Sequence, residues 1–490
     1  MKISKKFLPV FIVCFLLFSN ICMKRYKKYE DKPSRIMSND ILNVIKAEQY
    51  EEAEEYFNYL VEKKPYSMNG VRLLEEVYVE LASVKNIIEH LNTWCSKSPP
   101  HQSAFILRGL YHTNNAWLAR GGGYAYTVSD EGWLLFKSRL ELAKEDLEKA
   151  YSLNPDDPNS ASSMIPVLMG LRYEEEEMAT WFQRAIKSDP VTYKPYYKKL
   201  QFLNPKWRGT VEKHIQFAEH CYHNSPRKSI VYKIMFDCLI EYSKKTANVK
   251  KFFSESQIKN ILNEIYKRVL KDFPNSIRIR QDFAYAQYKL GKFDEAIRLQ
   301  TEALTIDPND TFVLLSRGNI YLDNKAEFKK AELDYKRIIE NNPYYPRAKA
   351  EAYYRLGEIN RLHNRNYKKA IEYQNKAIEL NPKEEDYFLM RGFNKIKGSR
   401  DFKSALEDFI EAEKIDPRHV YVNHYKSMCL QELKRFDEAI TTYQKTLELI
   451  EKEVAKGDAG KLNKKQAERL KLQIDNFILL CQKKRTLTNK

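Results

Sequence analysis

Three consecutive glycines, Gly121, Gly122 and Gly123, are the first residues whose type and spacing suggest chemistry. A glycine run that opens a helix can wrap a phosphate with backbone N–H groups, given Gly-Lys-Ser/Thr after it and a strand before it. Here Tyr124-Ala125-Tyr126-Thr127-Val128 follows and no strand pattern precedes, so a nucleotide site is not expected. A helix ending at Arg120, with glycines at positive φ and Ser129 or Asp130 capping the next helix, accounts for the stretch. His214, His220, Cys221 and His223 raise a metal. His220 and His223, three apart on a helix, could face one ion, but no C-x-x-C or acid-rich partner completes a ligand set. Glu174–Glu177 are four acids in a row, which point around a helix rather than into one site and suit a helix start. No G-x-S-x-G or H-E-x-x-H is present. The seven cysteines form no C-x-x-C pair and read as small core residues. Neither an enzyme nor a cofactor is expected.

The composition says what must position such residues. Only 15 of 490 residues are glycine and 30% are charged, which suits a long helical protein better than an α/β enzyme. The net charge is +17. Residues 1–35 hold nine Lys/Arg against two Asp/Glu, and 451–490 hold eleven against five, so the body is a mixed surface without a basic stripe. Nucleic acid is therefore a disfavoured partner. Residues 7–23 are apolar between basic flanks, with no clean cleavage site and only a loose lipobox-like approach to Cys22. They predict a membrane partner and a membrane-associated localisation, as an uncleaved anchor or a signal- or lipoprotein-like peptide, of undetermined orientation.

Internal repetition is the strongest signal. GKFDEAIRLQTEALTIDP (291–308), AEFKKAELDYKRIIENNP (326–343), RNYKKAIEYQNKAIELNP (365–382), RDFKSALEDFIEAEKIDP (400–417) and KRFDEAITTYQKTLELI (434–450) align on Ala296, Ala331, Ala370, Ala405 and Ala439, spaced 35, 39, 35 and 34 residues. Upstream of each lies a helix with a small residue at its crossing point: Ala284, Gly318, Gly357, Gly392 and Ser427. These units resemble tetratricopeptide repeats. The resemblance implies an all-α, right-handed solenoid of helical hairpins, each burying its apolar face only by stacking. Half-motifs at 48–65, 142–155 and 178–190 extend hairpins, in degenerate form, through the N-terminal half. Residues 461–484, with Leu470, Ile474, Phe477 and Ile478 on one face, read as a capping helix.

The middle segment, about 100–222, carries Arg108-Gly109, Tyr111, Ala116-Trp117, Ala119-Arg120-Gly121, Gly123 and Trp133. This pattern resembles a bacterial domain family of unknown function. The expected organisation is an anchor and basic linker over 1–35, N-terminal hairpins over 36–99, the domain of unknown function over 100–225, connecting helices over 226–275, five repeats over 276–450, and a basic cap and tail over 451–490.

The tetratricopeptide resemblance implies a protein or peptide held on the first helices of the repeats. By register that face presents Gln281, Tyr285, Tyr288, Leu315, Asn319, Tyr354, Glu358, Arg361, Leu389, Phe393, His424 and Met428. Only Asn319 fits a carboxylate clamp, so a segment bound side-on is expected. The alternative is a middle module that binds a small ligand or has activity, with Arg108, Trp117, Arg120, Asp130 and Trp133 at its surface. The oligomeric state is not legible.

Overall fold

A computed structural model describes residues 32–121, 128–207, 209–244, 246, 248–341, 346–455 and 464–488. Among them the chain is helical without a strand, an all-α solenoid of hairpins. It divides into two compact units, Met1–Ile279 and Arg280–Lys490.

The N-terminal unit holds α1 (Ser34–Lys46), α2 (Tyr50–Lys63), α3 (Leu73–Leu81), α4 (Ile88–Cys95), α5 (Gln102–Arg120), α6 (Asp130–Leu153), α7 (Pro158–Leu171), α8 (Glu175–Ser188), α9 (Lys194–Phe202), α10 (Val211–Asn224), α11 (Ile234–Ser243), α12 (Val249–Ser254) and α13 (Ser256–Asp272). One apolar cluster runs from Met37 to Leu110 and takes in Ala150, with no break at Pro99-Pro100. A second joins Ala116, Phe136, Leu140, Leu147, Met164 and Leu168.

Next come α14 (Ile277–Lys289), α15 (Phe293–Ile306), α16 (Thr311–Asp323), α17 (Phe328–Asn341), α18 (Pro346–Leu362), α19 (Tyr367–Leu380), α20 (Glu385–Ser399), α21 (Phe402–Ile415), α22 (Val420–Glu432), α23 (Phe436–Val454) and α24 (Lys464–Thr488). In α15, Ala296, Leu299, Gln300, Ala303 and Leu304 are buried, the three-four spacing of a core-facing stripe, while Asp294 and Glu295 sit at the positive end of the helix. On α24, Leu470, Ile474 and Cys481 are buried against α22 and α23, with Phe477 and Ile478 beside them. Its outer side mixes exposed Lys464, Lys465, Glu468, Arg469 and Asp475 with exposed Leu472, Leu479 and Leu480.

The hairpin turns share one backbone feature. Gly291, Ala326, Arg365, Arg400 and Lys434 each sit at positive φ, between 51° and 77°, two residues before the aromatic that opens the second helix; Glu48 does the same before Tyr50. Only one of the six is glycine. A β-carbon in this region costs about 1–2 kcal/mol. Ala326→Gly is therefore expected to stabilise its hairpin by roughly 0.5–1 kcal/mol, read from urea unfolding.

A side-chain bridge also recurs, where Arg-Gly falls at positions seven and eight of a first helix. Arg317 on α16 grips Asp334 on α17 with Nε (2.9 Å) and Nη2 (2.7 Å), while Nη1 reaches Thr301 sixteen residues back (3.0 Å). Arg391 on α20 does the same with Asp408 (2.6 Å from Nη2) and Asn375 (2.8 Å). Arg108 on α5 repeats it with Asp146 (2.9 and 2.7 Å) and Asn92 (3.3 Å), again sixteen residues back. The following glycine lets the second helix close in. A β-carbon on Gly109, Gly318 or Gly392 would lie within 2.9 Å of Leu147, Tyr335 or Phe409, each the residue after the bridging aspartate. The α5–α6 hairpin is thus built on the same plan as α16–α17 and α20–α21. Its Arg–Asp separation is 38 residues instead of 17, because both helices run on past the bridge.

The membrane-associated localisation expected from residues 7–23 is corrected. No helix among the described residues is long and apolar enough to cross a membrane, and 7–23 lie outside the described residues. An apolar run between basic flanks is a compositional signal, and no described element carries it.

Candidate functional site

The first helices of the C-terminal unit present a strip of half-buried side chains. It comprises Gln281, Tyr285 and Tyr288 on α14, Leu315 and Asn319 on α16, Tyr354, Glu358 and Arg361 on α18, Phe393 on α20 and Met428 on α22; Leu389 and His424, on the same register, are buried. Neighbouring helices touch along it. The Tyr354 and Tyr387 rings lie 5.1 Å apart, Arg361 sits 5.7 Å over the Phe393 ring, and Phe393 meets Tyr425 at 5.4 Å. Lys289 covers Tyr285 at 5.2 Å and Tyr288 at 5.5 Å. Burial opposes the charge on Arg355. Glu351 (2.8 Å), Glu358 (2.9 Å) and Asp323 (3.8 Å) nevertheless hold its guanidinium well above the ordinary value. Burial also pushes Glu358 up, with Arg355 and Arg361 opposing. Asn319 accepts a 2.7 Å hydrogen bond from the Tyr335 hydroxyl. Arg317 and Arg391 are each bridged to an aspartate.

His424 is placed differently from the rest of the strip. It is 7% exposed, its Nδ1 has no hydrogen-bond partner, and the Tyr443 and Phe477 rings lie 6.2 and 6.4 Å from it. Burial pushes its pKa down to about 4. The capping helix α24 roofs this end of the strip through Phe477, a contact that counting residues along α22 does not reveal.

In the N-terminal unit, Arg120 closes α5 among three indoles. Its guanidinium lies 5.9 Å from Trp117, 5.6 Å from Trp133 and 5.5 Å from Trp207, and Trp117 meets Trp207 edge-on at 5.1 Å. Gly121 ends the helix at φ +73°, and Ser129 caps α6 by accepting from the Gly132 N–H (3.1 Å); Gly122 and Gly123 lie outside the described residues. Asp130 is exposed at the start of α6, and Arg108 belongs to the Asp146 bridge, so only Trp117, Arg120 and Trp133 of the expected surface come together. Trp207, between α9 and α10, was not anticipated, since nothing in Pro205-Lys206-Trp207 announces a partner nearly ninety residues earlier. The aromatic cage is filled by the chain's own cation. Arg120→Ala is expected to destabilise this unit by roughly 1–2 kcal/mol, measured by tryptophan fluorescence in urea.

The histidines do not converge. His214 and Cys221 face inward, His214 Nδ1 lying 3.6 Å from Cys238 Sγ, whereas His220 and His223 are exposed. Glu385, Asp386 and His419 bring three potential ligand atoms within 4.8 Å of one another. However, His419 Nδ1 accepts the Val422 N–H (3.3 Å) as the cap of α22. The neutral ring then carries its proton on Nε2, 3.8 Å from Asp386, and has no lone pair there for a metal.

Comparison with known proteins bears on both units. Residues 277–310 and 350–384 match the tetratricopeptide repeat, and residues 37–172 match a domain of unknown function, DUF4034. That match spans both sides of residue 100, as the Met37–Leu110 core does. The TPR repeat-containing protein MJ1428 of Methanocaldococcus jannaschii is 24% identical over 212 residues, which cover 41% of this chain and only 36% of that protein. Among solved structures, MamA protein is 26% identical with a TM-score of 0.32, covering 38% of this chain and 98% of its own. YrrB, described as a TPR protein with an unusual peptide-binding site, is 18% identical with a TM-score of 0.31, covering 38% of this chain and 91% of its own. The family matches thus assign tetratricopeptide repeats at residues 277–310 and 350–384 and a DUF4034 domain at residues 37–172.

Proposed function

We propose that the protein is an interaction scaffold, without chemistry of its own, that holds a peptide or protein segment side-on along the strip from Gln281 to Phe393. Tetratricopeptide repeats support the scaffold role. The observation that carries the finer reading is the continuity of the strip. Aromatic side chains on α14, α18 and α20 stay partly exposed along one register, and Lys289, Glu358 and Arg361 lie among them. Such rings offer large contact area at little cost in side-chain entropy, the usual profile of an interface anchor. The capped end at His424 sets the limit of the bound segment.

The test is a photo-crosslinking amino acid placed in the full chain at Tyr354 or Phe393, with Leu333 on α17, 68% exposed, as the outer-face control. Crosslinks to one discrete protein from Tyr354 and Phe393, and none from Leu333, are the expected result. Crosslinks from Leu333 alone would remove the reading. Once the partner is in hand, Tyr354→Ala and Phe393→Ala should each weaken binding about tenfold or more.

A further inference from the structure

Four successive first helices of the N-terminal unit, α3, α5, α7 and α9, carry polar side chains into its interior. Helix α7 lies at the centre. Every residue from Pro158 to Leu168 is buried, yet Asn159, Ser160, Ser162 and Ser163 are among them. Asp157 caps α7 with one oxygen only: Oδ1 accepts from the Asn159 N–H (2.9 Å) and from its Nδ2 (2.7 Å). The other oxygen, Oδ2, is buried without a hydrogen-bond partner. So are the Tyr78 hydroxyl on α3, which faces Asp157 and Glu54, the Ser162 and Ser163 hydroxyls, the Lys194 ammonium at the start of α9, and Glu54 Oε2 on α2, which has His101 Nδ1 at 3.8 Å. Lys194 feels the charges of both Glu75 on α3 and Asp157, and Glu54 feels that of Asp157. Burial pushes Glu54 up to about 7 and Glu75 up to about 8, and pushes Lys194 down. The contrast with Arg72, which grips the nearby Asp189 at 2.7 and 3.2 Å, is direct.

Buried polar groups are normally paired, and an interior charge left without a bond is strongly unfavourable. Here the unmet groups are of two complementary kinds: carboxylate oxygens on Asp157 and Glu54, and an ammonium on Lys194. We propose that this cluster is a binding site for a small zwitterion, a free α-amino acid, with its ammonium against Asp157 Oδ2 and Glu54 Oε2 and its carboxylate against Lys194 Nζ. The site does not depend on the groove of the C-terminal unit, and either could fail alone.

The experiment uses the full chain and the twenty amino acids singly at millimolar concentration, with melting followed by tryptophan fluorescence. All five tryptophans lie between Trp94 and Trp207, so the signal reports this unit. At least one amino acid is expected to raise the midpoint by about 3–6 °C at a hundredfold excess over its Kd. Asp157→Asn keeps a capping oxygen and Lys194→Met keeps the stem; each should weaken the response at least tenfold, while Asp130→Asn leaves it intact. If either variant does not fold, mass spectrometry of small molecules released from denatured wild-type protein, with and without amino-acid loading, decides. No shift and no retained amino acid in the wild type overturns the proposal, as does a shift that survives both substitutions. Density for ordered water only, in a crystal soaked with the responding amino acid, overturns it too.

Discussion

Asp408→Ala is expected to destabilise the C-terminal unit by about 3 kcal/mol, because it strands two cations at once. Arg391 donates to Asp408 from Nε and Nη2, and Lys395 Nζ approaches its Oδ2 to 2.9 Å. The carboxylate is only 3% exposed, and both cations are 20% exposed, so water can reach them in part. This places the loss at the lower end of the range for a broken buried pair, and well above the several tenths expected of a surface pair. Solenoids unfold segment by segment, so the measurement is amide hydrogen exchange resolved along the chain. Protection should fall in α20, α21 and α22 and stay unchanged in α5 and α6. Asp146→Ala should give the opposite pattern. A loss under 0.5 kcal/mol at Asp408 would mean that the bridge is ornamental.

The second large effect is acid release of the capping helix. His424 ordinarily titrates near 6.5, but burial in the fold brings it to about 4. The folded state therefore keeps the ring neutral while the unfolded chain takes up a proton. Stability from this residue is complete above pH 6.5, falls as the pH drops, and levels off near 4, for a total of about 3 kcal/mol. Glu413 contributes below that window: although burial opposes its charge, hydrogen bonds from Lys426 and Lys445 hold it under its ordinary 4.5. Exchange of α22–α24 amides at pH 7 and pH 5, corrected for the chemical rate, should show weakened protection at pH 5. His424→Leu should abolish the difference. If the leucine variant keeps the same pH slope, the histidine is not its source.

The repeats were legible because their packing needs one residue type at each place. A small residue at Gly318 or Gly392 faces an aromatic, and a proline follows the second helix, so identity and spacing survive in the sequence. The turn conformation did not survive, since Glu, Ala, Arg and Lys occupy five of six positive-φ positions. The Arg108–Asp146 bridge was hidden by its longer spacing, although Arg-Gly was noticed for another reason. Arg120, Trp117 and Trp133 are neighbours on one hairpin and so share one stretch of sequence, whereas Trp207 could be joined to them only by the fold. The same holds for Asp157 and Lys194, which look like ordinary helix-start residues until four first helices bring them together. His424 shows the converse: it lies on the register of the strip, and a helix forty residues later changes its surroundings.

The lengthened α5–α6 hairpin plays two parts. Twenty-one residues are added beyond the bridge, yet Arg108 still meets both Asp146 and Asn92 as its counterparts meet theirs. The bridge sets the register of the hairpin at its base, while the extension reaches a second neighbour: Trp117, Arg120 and Trp133 at its far end meet Trp207, between α9 and α10. One hairpin thus serves as a repeat at its base and as a brace at its end. Shortening the pair to the length of α16–α17 should keep the Arg108 bridge and lose the brace.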